Sequence, residues 1–282
     1  METKVSIFST LANLFRTIFW LLLIVLLLFQ LFSSPSLEGE RVAVIEAIQK
    51  ERGSRVITLI HREETVSLFG IAVDKYINID DAEAILRAIR RTPAEKPIDL
   101  IIHTPGGLVL AASQIAHAIQ KHKGKVTVFV PHYAMSGGTL IALAGDEIVM
   151  DPNAVLGPVD PQIGQYPAAS IIRAVEMKTP EKADDQTLIL ADISQKAINQ
   201  VGTLVAELLK KCMPDVDAQK VAALITTGQF THDFPITVER AQSVGLCIST
   251  EMPKAMYTLM DLYPQTGAGR PSVNFVPLQD AP

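Results

Sequence analysis

Cysteine is scarce in this chain. Its 282 residues hold two, Cys212 and Cys247, and neither stands in a Cys-x-x-Cys or Cys/His spacing that would bind zinc. Both read as buried free thiols at a helix end and in a core strand. Positive charge is also short. Against 30 Asp and Glu stand 25 Lys and Arg, for a formal charge of −5, with no basic stripe to offset it. Such a surface repels a nucleic-acid backbone, so no nucleic-acid partner is expected. The phosphate-binding pattern Gly-x-x-x-x-Gly-Lys-[Ser/Thr] is absent. The chain therefore has no ATP-driven unfolding machinery of its own, and neither a metal nor a cofactor is expected. No internal repeat is found.

Apolar residues are plentiful, at 48% of the chain, enough for a sizeable core. The longest apolar run, Ile18 to Phe32, is broken only by Gln30. With its flanks it approaches the ~20 residues that cross a bilayer, and Pro35 ends it. Trp20 lies near one end, as an interfacial anchor does. The expectation is a membrane anchor over residues 1–35, with lipid contact through 18–34. A cleaved signal peptide is the rival, but Phe32-Ser33-Ser34 is a poor small-x-small cleavage site. Lys4 and Arg16 on one side nearly balance Arg41, Lys50 and Arg52 on the other, so charge does not set the orientation.

Residues 36–263 read as one α/β domain, and 264–282 as a disordered tail rich in Pro, Gly and Gln. The apolar positions Val42, Ile45 and Ile48 predict a helix that Gly53 stops. Short apolar strands are predicted at 55–61, 98–103, 125–130 and 147–151, with helices at about 80–92, 108–122 and 136–144 between them. Continuous apolar strands alternating with helices argue for a parallel sheet covered by helices. Residues 152–183 read as a long irregular excursion, the kind of loop that often carries function. Helices over roughly 186–212, 217–226 and the VERAQSVGL segment follow, the first capped by Asp184 or Asp185 and the last stopped by Gly245.

Two glycine turns follow neighbouring strands: His103-Thr104-Pro105-Gly106-Gly107 and Met135-Ser136-Gly137-Gly138. In open α/β sheets, ligands bind beyond the carboxyl ends of the strands, where both turns belong. Each leads into a helix, whose first N–H groups are unpaired and favour negative charge. Ser136 there could attack a carbonyl. The N–H of Gly137 and that of Gly106 or Gly107 could hold the resulting oxyanion. The plain alternative makes Ser136 an N-cap and both turns structural; the pairing of the turns favours chemistry.

At these residues the sequence resembles the ClpP/crotonase superfamily, and in particular the serine dehydrogenase proteinase family, membrane-bound relatives of signal peptide peptidase A. The resemblance rests on RVITLIHREE (55–64), IDLIIHTPGG (98–107), PHYAMSGGTLIALAGDEIVMD (131–151), LGPVDPQIG (156–164) and FTHDFPITVERAQSVGL (230–246). It implies a spiral of ββα units, a serine peptidase activity with Ser136 as nucleophile, Gly106–Gly107 as half of the oxyanion hole, and a homo-oligomer.

A serine hydroxyl needs a base. Relatives use a Ser–Lys dyad or a Ser–His–Asp triad. Lys196, in the apolar helix after the excursion, is the favoured base, because a buried lysine sheds its proton near neutral pH. Lys178 and Lys182, within the excursion, compete. The histidine route is weaker. Asp160-Pro161-Gln162 occupies the neighbourhood where ClpP-like proteins carry their histidine. His132 and His103 flank the turns and read as satisfied polar residues, and His232 with Asp233 lies in a late loop. Asp160 could orient the excursion or a base. The leading reading is an endopeptidase acting on unfolded or membrane-derived peptides. A crotonase-like acyl-CoA enzyme lacks suitable glutamates after the second turn. A non-catalytic membrane scaffold would follow if no base exists.

Overall fold

A computed structural model of the chain describes residues 12–26, 37–61, 63–66, 71–74, 76–178 and 182–263. The chain divides into two compact units, Met1–Ala43 and Val44–Pro282. In the first unit, residues 12–26 form helix α1, with Phe15, Phe19, Trp20 and Leu22 exposed. Among the described residues, no helix is long and apolar enough to cross a membrane. The transmembrane helix expected over residues 18–34 lies partly outside the described residues. Residues 27–34, and the tail expected over 264–282, lie outside the described residues.

Helix α2 (Leu37–Arg52) leads into β1 (Arg55–Ile60), the short antiparallel pair β2 (Glu63–Val66) and β3 (Ile71–Asp74), and α3 (Ile79–Arg90). Then come β4 (Ile98–His103), α4 (Val109–Lys121), β5 (Val126–Val130), β6 (Tyr133–Ala134), α5 (Gly137–Ala144), β7 (Glu147–Met150) and β8 (Val155–Leu156). The excursion holds β9 (Gln162–Ile163), β10 (Tyr166–Pro167) and α6 (Ala168–Glu176). Helices α7 (Asp185–Leu209) and α8 (Asp215–Thr226) follow, then β11 (Ile236–Thr237), α9 (Val238–Ser243), β12 (Ile248–Ser249) and α10 (Lys254–Asp261).

The main sheet has five strands in the order β1-β4-β5-β7-β12, all parallel. Both faces are covered, which explains why its strands read as unbroken apolar runs. Side chains alternate between two cores, as the two-residue period of a strand requires. Leu100, Ile102, Val126, Val128 and Val130 pack with α3, α4, α5, α7 and α8 on one face. Ile101, Phe129 and Val149 pack with Ile48 of α2 and Met256, Leu259 and Met260 of α10 on the other. A second, three-stranded sheet has the order β11-β8-β6. Its strands β6 and β8 follow directly on β5 and β7, so the chain leaves the main sheet, adds a short strand and then moves on.

Local chemistry fixes the element ends. Helix α3 starts at Ile79, one residue before the expected start. Asn78 is the N-cap, accepting from the Asp81 N–H at 3.0 Å, while the Asp81 carboxylate accepts from the Asn78 N–H at 3.0 Å. Asp184 caps α7 by accepting from the Thr187 N–H at 2.9 Å. A buried carboxylate, Asp99 on β4, is matched on three sides: Arg52 Nε donates at 2.6 Å, Arg52 Nη2 at 3.2 Å and Ser54 Oγ at 2.6 Å. A buried charge needs this saturation. It ties the end of α2 to the middle of the main sheet.

The cysteines are not free thiols. Cys212, just past α7, and Cys247, just before β12, form a disulfide with a Cα–Cα separation of 5.9 Å. Their neighbourhood arises from tertiary packing across 35 residues of chain, which two isolated cysteines do not announce. Closing a loop of that length restricts the unfolded chain, worth about 2–4 kcal/mol. The Cys212→Ser/Cys247→Ser double variant is therefore expected to lower the denaturant midpoint by that free energy. A chain whose midpoint is the same with and without reductant would contradict the bond's contribution.

Candidate active site

The second glycine turn is a sharp reversal between β6 and α5. Ser136 adopts φ 50°, ψ −116° and is the only non-glycine with positive φ among the described residues. Such a backbone costs about 1–3 kcal/mol and persists only where its surroundings over-determine it. Here they do. The Met135 N–H donates to the Thr104 carbonyl at 3.0 Å, and the Gly138 N–H to the Met135 carbonyl at 2.7 Å. Every residue of α5 is buried. Thr139 Oγ1 donates to the Ala134 carbonyl at 2.7 Å and accepts from the Gly157 N–H at 2.9 Å. Ser136 stands at the N-cap position but makes no side-chain capping bond. A capping serine would spend its hydroxyl on the helix, and this one does not.

The first glycine turn lies against the second. Gly106 and Gly107 have φ of 109° and 156°. A Cβ on Gly106 would stand 2.7 Å from Ser136 Cβ and 2.9 Å from the Met135 carbonyl oxygen. A Cβ on Gly107 would collide with the backbone of Ile77. Ile77 bridges the turn: its N–H donates to the Gly106 carbonyl at 2.7 Å, and its carbonyl accepts from the Leu108 N–H at 2.8 Å. This ladder skips the Gly107 N–H. The Gly106 N–H is used internally, donating to Thr104 Oγ1 at 3.2 Å. An ideal Cβ on Gly137 would lie 3.4 Å from the Gly107 nitrogen, so these two amides are neighbours. Neither donates to a backbone acceptor among the described residues. Two unspent N–H groups beside a serine hydroxyl can stabilise a tetrahedral oxyanion.

Gly107, Ser136 and Gly137 open into a cleft of about 310 Å³ that Val201, Asp160 and His232 also line. The short sheet explains this gathering. β6 runs parallel to β8, and β8 antiparallel to β11. Ser136, Asp160 and His232 therefore all emerge at one end of that sheet. Asp160 is buried, and both of its oxygens are engaged. His232 Nδ1 donates to Oδ1 at 2.7 Å and Gln162 Nε2 to Oδ2 at 2.7 Å. His232 is half-buried. The hydrogen bond to Asp160 raises its pKa above the usual imidazole value, against a lowering by burial and with help from the negative charges of Asp160 and Asp233.

The three expected lysines stand elsewhere. Lys196 is exposed on α7 and paired with Asp192. The buried positions of that helix include Ser194, Val201, Val205 and Leu208, and Lys196 falls on the far side of this stripe. Lys178, just past α6, and Lys182, just before α7, are both exposed. None of the three lines the cleft. His103 is buried, its ring centroid 4.2 Å from that of Tyr133, while His132 is exposed. His61, which no sequence motif singled out, is buried with Nδ1 at 2.8 Å from Thr104 Oγ1 of the first turn. The strain at Ser136 is testable. Ser136→Gly, which permits positive φ freely, is expected to raise the unfolding midpoint by roughly 1 kcal/mol of stability, and Ser136→Ala is not. Equal midpoints for the two variants would show that the serine backbone stores no strain.

Comparison with known proteins places this geometry. A family profile described as "ClpP-like SDH-type serine proteinase" matches residues 5–281. Protein MJ0137 of Methanocaldococcus jannaschii is 56% identical over 260 residues, 92% of this chain and 91% of that protein. MJ1495 of the same organism is 55% identical over 239 residues, 85% of this chain and 82% of that protein. Membrane protein NfeD1b of Bacillus subtilis is 31% identical over 170 residues, 59% of this chain and 36% of that protein. Among solved structures, a variant of the 1510-N membrane-bound stomatin-specific protease aligns with a TM-score of 0.43 at 21% identity, over 66% of this chain and 79% of that one. The profile match spans both glycine turns, the excursion and the loop that carries His232, and on it the chain belongs to the ClpP-like SDH-type serine proteinases.

Proposed function

We propose that this chain hydrolyses peptide bonds through an acyl-enzyme on Ser136, with the N–H groups of Gly107 and Gly137 as the oxyanion hole. The observation that carries this reading is the uncapped hydroxyl on a strained reversal, set against two unspent amides. Gly106 serves a different part: lacking a side chain, it lets the two turns touch. The Ser136 oxygen adds to the scissile carbonyl carbon as its proton is given up, the carbonyl oxygen takes up negative charge between the two N–H groups, and the amine leaves with a proton gained in exchange as the carbonyl reforms, which leaves an ester on Ser136. Removing one donor of this kind typically costs about 3 kcal/mol in the barrier.

The substrate is an extended peptide. A groove of about 600 Å³ between α4 and α7 shares Val109, Pro161, Gln162 and Val201 with the cleft and continues past Leu110, Ile163 and Leu204. Its apolar walls suit unfolded or membrane-derived segments. The apolar run 18–34 and the exposed apolar side chains of α1 support membrane association of the N-terminal segment, and one relative is named a membrane protein. Exposed Leu108, Val109 and Leu110 support assembly with further copies of the chain.

A fluorophosphonate probe is expected to label the wild type and not Ser136→Ala, with cleavage of casein or a peptide library lost in the same variant and oligomer size unchanged. Labelling without peptide cleavage would favour another acyl substrate, and neither activity in a folded wild type would leave a scaffold. Deleting residues 1–35 is expected to release the chain from anionic and zwitterionic liposomes in flotation. Flotation unaffected by that deletion would remove the lipid contact from this segment.

A further inference from the structure

An oxyanion donor must be aimed as well as placed, and a glycine turn holds its aim weakly. Gly106 and Gly107 carry no side chain, so the peptide plane between them can turn over at little cost. A trans peptide points its C=O and its N–H opposite ways. Whatever grips the Gly106 carbonyl therefore aims the Gly107 N–H. Here the Ile77 N–H donates to that carbonyl at 2.7 Å, and the Ile77 carbonyl accepts from the Leu108 N–H at 2.8 Å. The preceding plane is held by Thr104 Oγ1, which accepts from the Gly106 N–H at 3.2 Å. Successive planes each have a partner, and the Gly107 N–H is left on the side of Gly137.

A buried imidazole joins these grips. His61 follows β1 directly, and its N–H donates to the His103 carbonyl at 2.8 Å, which anchors it to the end of β4. Its Nδ1 lies 2.8 Å from Thr104 Oγ1 and its Nε2 lies 3.3 Å from Asp81 Oδ2. The same Asp81 oxygen accepts from the Asn78 N–H at 3.0 Å, one residue past Ile77. The chain of contacts closes on itself: Thr104, Gly106, Ile77, Asn78, Asp81, His61 and back to Thr104. Its polarity is set by Asp81. A carboxylate only accepts, so Nε2 of the neutral imidazole carries the proton and Nδ1 accepts from the Thr104 hydroxyl. The Thr104 oxygen is then free to accept from the Gly106 N–H. Without the imidazole, the hydroxyl would turn to the Gly106 carbonyl, 3.4 Å away, and compete with Ile77 for the oxygen that sets the plane.

From this geometry we infer that His61, anchored by Asp81, is a positioning residue for the oxyanion hole. It orients the Thr104 hydroxyl, and through Thr104 it keeps the Gly107 N–H aimed at the oxyanion. The inference rests on the reading of Gly107 as an oxyanion donor. His61 touches no reacting atom and carries no proton in the reaction. Packing alone does not call for an imidazole here. Ile57 and Leu59 precede it on the same face of β1, and both are buried in the larger core. A buried polar side chain is stable there only because both ring nitrogens have partners, and those partners belong to the turn and to the start of α3. Thr104 also ties the two turns together, since its carbonyl accepts from the Met135 N–H at 3.0 Å.

The test follows fluorophosphonate labelling of the full chain, resolved into a limiting rate and the probe concentration that half-saturates it. In that reaction Ser136 Oγ bonds to phosphorus, its proton is given up, fluoride leaves, and the phosphoryl oxygen occupies the oxyanion position. His61→Leu is expected to lower the limiting rate about 10–10²-fold, less than outright loss of a donor, with half-saturation unchanged. His61→Asn, whose amide oxygen can stand where Nδ1 stands, is expected to restore most of that rate. Thr104→Val is expected to fall as far as His61→Leu, and the double variant no further than either, because both break one chain of bonds. Circular dichroism checks the fold of each. A wild-type limiting rate in folded His61→Leu would overturn the inference. So would a loss that His61→Asn does not restore, or one that falls on half-saturation alone. Should His61→Leu not fold, the nearly isosteric Thr104→Val decides, and a wild-type limiting rate there overturns the assignment. Labelling of Ser136→Ala, or none in the folded wild type, would instead overturn the proposed function, and the inference with it.

Discussion

The contact between Gly106 and the Ser136 backbone is the constraint on which the site depends. Two chain reversals meet with no room for a side chain between them. One of the reversals holds a serine in a conformation that L-residues avoid. Neither turn can relax without moving the other, because Thr104 bonds to Met135 across the gap and α5 is buried along its length. The free energy that keeps Ser136 strained comes from packing α5 into the larger core, not from the turn. Stability elsewhere is thereby converted into a hydroxyl held outside the helix's own hydrogen bonding, which is what a nucleophile requires.

Much of the scaffold was legible in the sequence. Strands β1, β4, β5 and β7 are runs of apolar residues, since both faces of the parallel sheet are buried, and glycine or proline marks most of the boundaries. The two turns could be found for the same reason: glycine pairs after apolar strands carry a backbone message. What escaped were elements too short to have a period. β6, β8 and β11 are two residues each, yet their pairing sets where Asp160 and His232 go. No local pattern links a loop at 160 to one at 232. The exposure of Lys196 was hidden for another reason. Its helix carries apolar residues on more than one side, so a flanking isoleucine did not show which side faces the core, and Ile193 beside it is 43% exposed.

The buried carboxylates divide the labour. Asp99 is saturated by Arg52 and Ser54, far along the sheet from the cleft, and its work is to join α2 to β4. Asp160 is equally buried, but its partner is an imidazole that still reaches solvent. A guanidinium cannot give up its proton near neutral pH, whereas an imidazole can. The same desolvated acid therefore makes a structural clamp in one place and a titratable device in the other.

Between Asp160 and His232 the chain makes its longest detour, through β9, β10, α6, α7 and α8, before β11 returns to β8. The return point is set by strand pairing, not by the contents of the detour. The detour is fastened to that pairing at both rims: Gln162 Nε2 donates to Asp160 Oδ2 at 2.7 Å, and the Ile225 carbonyl accepts from the Val159 N–H at 2.7 Å. A roof held at both rims moves with the strands beneath it, so the width of the cleft is tied to the pairing of β8 with β11.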